Sequence, residues 1–128
     1  MAKTVLVVDD DPDFLEQMRV QLQAAGFEVV TAENVEDAKT WLSENKPALV
    51  VVDLMMQHFD DGFALAHHIK RIDAAVPVVM VTGVTRETGM SFDASTREER
   101  AWIKADAVLN KPVRFEQLQR EIKRLLNE

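Results

Sequence analysis

Five short apolar runs punctuate the chain: TVLVV at 4–8, FEVVT at 27–31, ALVVV at 48–52, VPVVMV at 76–81 and AVL at 107–109. Most are rich in valine and lack the alternation of a half-exposed strand. That is the pattern of strands covered on both faces of a parallel sheet, so the runs read as interior strands. Between them the spacing turns helical. Over 12–25, Phe14, Leu15, Met18 and Leu22 fall on one stripe, with Asp11 placed to cap the start, Pro12 at the first helical position and Gly26 just past the end. Asn34 can cap a second helix reaching about residue 45, with Val35, Ala38 and Leu42 facing inward and Pro47 beyond its end. A third helix is expected over about 62–71. A last one follows Pro112, where Phe115, Leu118, Ile122 and Leu125 recur at helical intervals. Strands alternating with helices predict a doubly wound α/β domain with right-handed crossovers. The stretch TRETGMSFDASTR at 85–97 breaks the pattern and reads as a long loop leading into a helix at about 97–104.

The length, 128 residues, predicts a single domain spanning the whole chain and large enough to bury a core of its own. Apolar residues at 47% and charged residues at 29% place it with folded globular proteins and away from disordered ones. Acidic residues outnumber basic ones 22 to 15, and a net charge of −7 opposes attraction to DNA, RNA or anionic lipid, so no direct nucleic-acid or membrane partner is expected. The lack of cysteine excludes disulfides, thiolate metal sites and a cysteine nucleophile. The opening MAKTVLVVDD is too short in its apolar part for a signal peptide or a membrane span, which points to a cytoplasmic protein.

In an open α/β sheet, ligands bind beyond the carboxyl ends of the strands, where the loops converge. All the suspicious polar residues sit at those ends: Asp9, Asp10 and Asp11 after the first run, Asp53 after the third, Thr82 and Gly83 after the fourth, and Asn110, Lys111 and Pro112 after the fifth. Bringing Asp9, Asp10 and Asp53 together is costly unless a cation compensates. A donor set of oxygens alone suits a hard ion such as Mg²⁺, which shares carboxylates with phosphate oxygens. Lys111 offers a point charge and Thr82 a hydroxyl donor to a phosphoryl group. Asp53, alone at the end of the most apolar run, suits a covalent phosphoryl acceptor, whereas Asp9 and Asp10 suit a metal. Other residues have plainer readings. His67 and His68 are adjacent on a helix and point in different directions, as surface residues do. Trp41 falls off the inward stripe of its helix and reads as packing. Arg114, Arg120, Lys123 and Arg124 form a solvated face with intrahelical pairing to Glu116 and Glu121.

The segments VLVVDDDPDF, VVDLMM, VTG and VLNKP, in this order and across essentially the whole chain, resemble the receiver domain of two-component response regulators. The resemblance implies a flavodoxin-like, CheY-like (α/β)5 fold whose five-stranded parallel sheet has the order 2-1-3-4-5, an order taken from the family. It also implies roles: Asp53 phosphorylated; Asp10 bound to Mg²⁺ directly and Asp9 through water; the backbone carbonyl of Met55 completing the metal shell together with Asp53; Thr82 and Lys111 contacting the phosphoryl group. Such a domain is a switch, not an enzyme. It takes its phosphoryl group from a histidine kinase or phosphotransfer protein and signals to a downstream protein through the face made by the family's fourth helix, fifth strand and fifth helix.

The departures from the family pattern also carry expectations. Gln57 stands where the family has proline, and the following Asp61-Gly62 comes one residue late. The stretch between Thr82 and Lys111 is longer than usual, which places an insertion in 84–102. Val108 replaces the aromatic switch residue. Met55 and Val84 occupy the positions that tune hydrolysis, and neither can orient a water, so a long-lived phosphorylated state is expected. Three alternatives differ in kind: an interaction module of the same fold that works without phosphorylation, a receiver segment of a hybrid kinase or larger regulator, and a phosphatase using Asp53. The last lacks a second acid two residues on to serve as general acid.

Overall fold

The computed structural model describes residues 3–53, 61–82, 105–110 and 113–126, with residues 61 and 63 in backbone only. Expectations resting on Met55, Gln57, Val84, Lys111, the 84–102 insertion and the 97–104 helix lie outside the described residues. The elements are β1 (Thr4–Val8), α1 (Pro12–Ala24), β2 (Glu28–Ala32), α2 (Val35–Leu42), β3 (Leu49–Asp53), α3 (Asp61–Ile72), β4 (Val78–Thr82), β5 (Ala107–Asn110) and a C-terminal helix (Phe115–Leu126). The strands form one parallel sheet in the order β2-β1-β3-β4-β5, as the resemblance implied.

The pleat divides the core in two. Leu6, Val8, Val50, Val52, Val78 and Met80 face one side and meet Ala38 and Leu42 of α2 and Leu65, Ala66 and Ile69 of α3. Val5, Val7, Leu49, Val51, Val79 and Val81 face the other and meet Leu15, Met18 and Leu22 of α1 and Leu118 and Ile122 of the C-terminal helix. This double cover explains why β1, β3 and β4 read as continuous apolar runs. The interior reading holds for β1, β3 and β4, whereas β2 and β5 are the sheet's edges, as the order 2-1-3-4-5 requires. Glu28 and Thr31 on β2 and Asn110 on β5 are exposed, because an edge strand has a neighbour on one side only.

The helix starts behave as their caps predict. Asp11 accepts the Asp13 N–H at 3.0 Å, and Asn34 accepts the Asp37 N–H at 2.8 Å. Helix α2 stops at Leu42, short of the expected residue 45. Its last carbonyls are taken by side chains, Ser43 Oγ donating to Thr40 O at 2.7 Å and Asn45 Nδ2 to Trp41 O at 3.0 Å. Trp41, expected off the inward stripe, is half-buried and packs against the α2–α3 core. On α3, His67 is exposed and His68 half-buried; burial, then Lys39 and Arg71, push the His68 imidazole below its ordinary pKa.

Gly26 closes α1 at φ 99°, and the turn it makes lets Phe27 N–H reach Leu22 O at 3.0 Å. A side chain there meets nothing within 4 Å, so the penalty lies in the backbone alone. Gly26→Ala is expected to lower stability by about 1–2 kcal/mol, read as an earlier urea midpoint at unchanged slope.

Candidate functional site

Adjacent strands bring the acids together by register. Val8 of β1 lies opposite Val52 of β3, so the residues that follow them, Asp9 and Asp53, emerge side by side. Asp53 in turn lies opposite Val81 of β4, one residue before Thr82, and Thr82 lies opposite Asn110 of β5. Four consecutive positions across the sheet thus open on one rim, the carboxyl edge where such sheets bind ligands.

Two successive turns built by aspartate side chains convert β1 into α1 and hold the first acid in place. The Asp9 N–H donates to Ala32 O at 3.1 Å, extending the β1–β2 ladder by one residue. Asp9 Oδ1 accepts the Asp11 N–H at 2.9 Å, and Asp11 then caps α1. Asp9 and Thr82 are fully buried and Asp53 is 6% exposed, whereas Asp10 is open to solvent. One carboxylate oxygen from each of Asp9, Asp10 and Asp53 lies within 4.8 Å of the others. Among the described residues no other group of three His, Asp or Glu side chains converges in this way.

Three carboxylates so close, two of them out of water, repel strongly, and an oxygen-only set with one open side suits a small divalent cation that retains waters. The donor chemistry therefore fits Mg²⁺. Of the residues expected to form the site, Asp9, Asp10, Asp53 and Thr82 are brought to the rim; Met55 and Lys111 lie outside the described residues.

The opposite edge of the sheet carries a feature without a sequence signal. Leu42, Pro47, Ile69, Ile72 and Val76 wall a cleft of about 330 Å³. Lys46 and Asp73 pair across it at 2.6 Å, and the Lys46 ammonium holds the Asp73 carboxyl below the usual carboxylate range. It holds none of the expected functional residues. A second such feature is Asp106, which joins three elements; in the sequence it is a lone acid between Ala105 and the apolar run at 107–109, so nothing there singles it out.

Residues 5–123 match the family model described as response regulator receiver domain. The chain is 35% identical over 114 residues to the heme response regulator HssR of Staphylococcus haemolyticus, covering 88% of this chain and 46% of HssR. It is 35% identical over 89 residues to the phosphate regulon transcriptional regulatory protein PhoB of Pseudomonas aeruginosa, covering 68% of this chain and 38% of PhoB. The chain thus spans about half the length, or less, of these curated relatives. Among solved structures, it superposes on the response regulator TrrA of Thermotoga maritima in complex with Mg²⁺ and beryllofluoride with a TM-score of 0.77 at 26% identity, covering 97% of this chain and 99% of the other. On a response regulator receiver domain protein from Clostridium thermocellum the TM-score is 0.80 at 25% identity, covering 99% and 95%. Among the described residues no helix is long and apolar enough to cross a membrane.

Proposed function

This chain belongs to the response regulator receiver family, and from that premise we propose that its acidic rim is a phosphoryl-accepting site with Asp53 as the acceptor. The carrying observation is the convergence of Asp9, Asp10 and Asp53 at the carboxyl edge of the sheet, with buried Thr82 on the neighbouring strand. The complex of TrrA with Mg²⁺ and beryllofluoride supports the same ion here.

Asp10, exposed at the mouth, suits direct ligation of Mg²⁺, together with Asp53 and the Met55 carbonyl. Asp9, one of whose oxygens already accepts a backbone N–H, suits a role through water. The ion supplies positive charge against the acids and the incoming phosphoryl oxygens. An Asp53 carboxylate oxygen attacks phosphorus; the P–O bond to Asp53 forms as the P–N bond to the donor histidine breaks, and that imidazole takes a proton. The Thr82 hydroxyl and the Lys111 ammonium steady the phosphoryl oxygens. The domain ends the event phosphorylated and is not an enzyme in the sense of releasing a product. Its donor is a histidine kinase or phosphotransfer protein, and its reader is a downstream protein that recognises the altered face around β5 and the C-terminal helix. The names of HssR and PhoB refer to chains nearly twice as long, and the acidic charge argues against this domain holding nucleic acid itself. The setting for this chemistry is the cytoplasm, where histidine kinases present their phosphoryl groups.

With acetyl phosphate and Mg²⁺, the protein is expected to gain the mass of one phosphoryl group. The gain should disappear on chelation and persist after the donor is removed, since Met55 and Val84 offer no hydrogen bond to an attacking water. A folded protein whose mass stays unchanged throughout would instead be a constitutive interaction module.

A further inference from the structure

Opposite the acidic rim, at the amino ends of β4 and β5, the Asp106 carboxylate ties three elements together. Asp106 Oδ2 accepts the Val78 N–H at 2.8 Å and the Lys70 Nζ of α3 at 2.7 Å. The Asp106 N–H donates to Val78 O at 2.8 Å, so Asp106 and Val78 hold each other from both sides. Lys70 is largely covered, its side chain 18% exposed, and its ammonium also reaches Val76 O at 2.7 Å. From the C-terminal helix, Arg124 Nη2 donates to Asp106 O at 3.2 Å.

The location of this knot matters more than its strength. β5 is a four-residue edge strand with one neighbour, β4, so its lengthwise position depends on that single ladder and on whatever fixes its start. A slip by one residue would turn each β5 side chain to the other face of the sheet. Val108 would then leave the α2–α3 core, and Leu109 the α1 side. Asp106 fixes the start: with it bonded to Val78, Ala107 falls opposite Val79, and Asn110 opposite Thr82. Lys111 follows Asn110 in the chain. The alignment of Thr82 on β4 with Asn110 on β5 is therefore set about 13 Å away, four strand residues below the rim. The metal-holding acids stand on β1 and β3, which this knot does not touch.

We infer that Asp106, backed by Lys70, is a positioning residue for phosphoryl acceptance, acting by pinning the register of β5 against β4. The inference rests on the reading of the rim as a phosphoryl-accepting site. Asp106→Ala is expected to slow phosphorylation by acetyl phosphate at least tenfold while leaving Mg²⁺ affinity within twofold of the parent. Asp106→Asn, whose amide oxygen can still accept the Val78 N–H, is expected to recover the rate to within about threefold. Amide exchange at 107–110 should quicken in Asp106→Ala and not in Asp106→Asn. If Asp106→Ala does not fold, Lys70→Met carries the test, with a slowing of about threefold at unchanged Mg²⁺ affinity. Parental phosphorylation rates in the folded variants overturn the inference. So does an equal loss of Mg²⁺ affinity, which would mark general loosening. If the parent itself takes no phosphoryl group, the reading of the rim fails, and the exchange rates alone decide whether Asp106 pins β5.

Discussion

Asp53→Asn is expected to take up no phosphoryl group from acetyl phosphate in Mg²⁺ while remaining folded. The amide matches the carboxylate in size and sits at a strand end where the parent side chain is 6% exposed, so packing hardly changes. Two things are lost. The neutral amide oxygen is a poor nucleophile toward phosphorus, so the covalent step has no route. One negative charge also leaves a cluster of three, so Mg²⁺ should bind more weakly. Intact mass spectrometry reads the first and a Mg²⁺ titration the second. Uptake at the parental rate would shift the acceptor to Asp9 or Asp10 and overturn the assignment. Asp9→Asn and Asp10→Asn are the necessary companions. Each should reduce Mg²⁺ affinity and slow uptake, but each leaves the Asp53 oxygen in place, so some phosphorylation should return at high Mg²⁺.

Much of this could be read from the chain before any coordinates. The valine runs announced a sheet covered on both sides, and the caps Asp11 and Asn34 located two helix starts, because a cap is a local hydrogen bond written into consecutive residues. The polar residues at the run ends could be gathered in advance because parallel strands joined by crossovers all point their carboxyl ends one way. What stayed hidden was non-local. Nothing in FEVVT or AVL says that these strands have one neighbour instead of two; edge status depends on strand order, which came from family resemblance. The early end of α2 arises from Ser43 and Asn45 folding back onto carbonyls, a choice that competes evenly with another helical turn. Trp41 packs inward because α3 lies beside α2, a tertiary fact that a helical wheel of α2 alone cannot contain. Asp106 is the sharpest case. As a lone acid before an apolar run it looks like a solvent-facing residue, and its importance appears only when Lys70, far back in the sequence, and Val78 arrive on either side of it.

The acid cluster also sets the stability of the fold, and Mg²⁺ is expected to reverse the order of two variants. A ligand that binds only the folded state stabilises it by about 2.7 kcal/mol at one hundred times its dissociation constant. The parent should therefore show a clear rise in urea midpoint on adding Mg²⁺. Without the ion, three carboxylate oxygens within 4.8 Å of one another oppose folding, because the unfolded chain lets them separate. Asp10 is the member best suited to expose this, since its side chain is open to solvent and an amide there disturbs no packing. Water screens it, so its repulsion with its neighbours is on the order of 1 kcal/mol, far below the value for a dry site. In metal-free buffer Asp10→Asn is expected to be more stable than the parent by about that amount. In saturating Mg²⁺ the parent should overtake it, because the variant has lost a direct ligand and gains little from the ion. The two midpoints, compared with chelator and with Mg²⁺, should thus cross. A parent midpoint that ignores Mg²⁺, or an Asp10→Asn variant already less stable without the ion, would mean that the three acids do not form a metal-binding cluster.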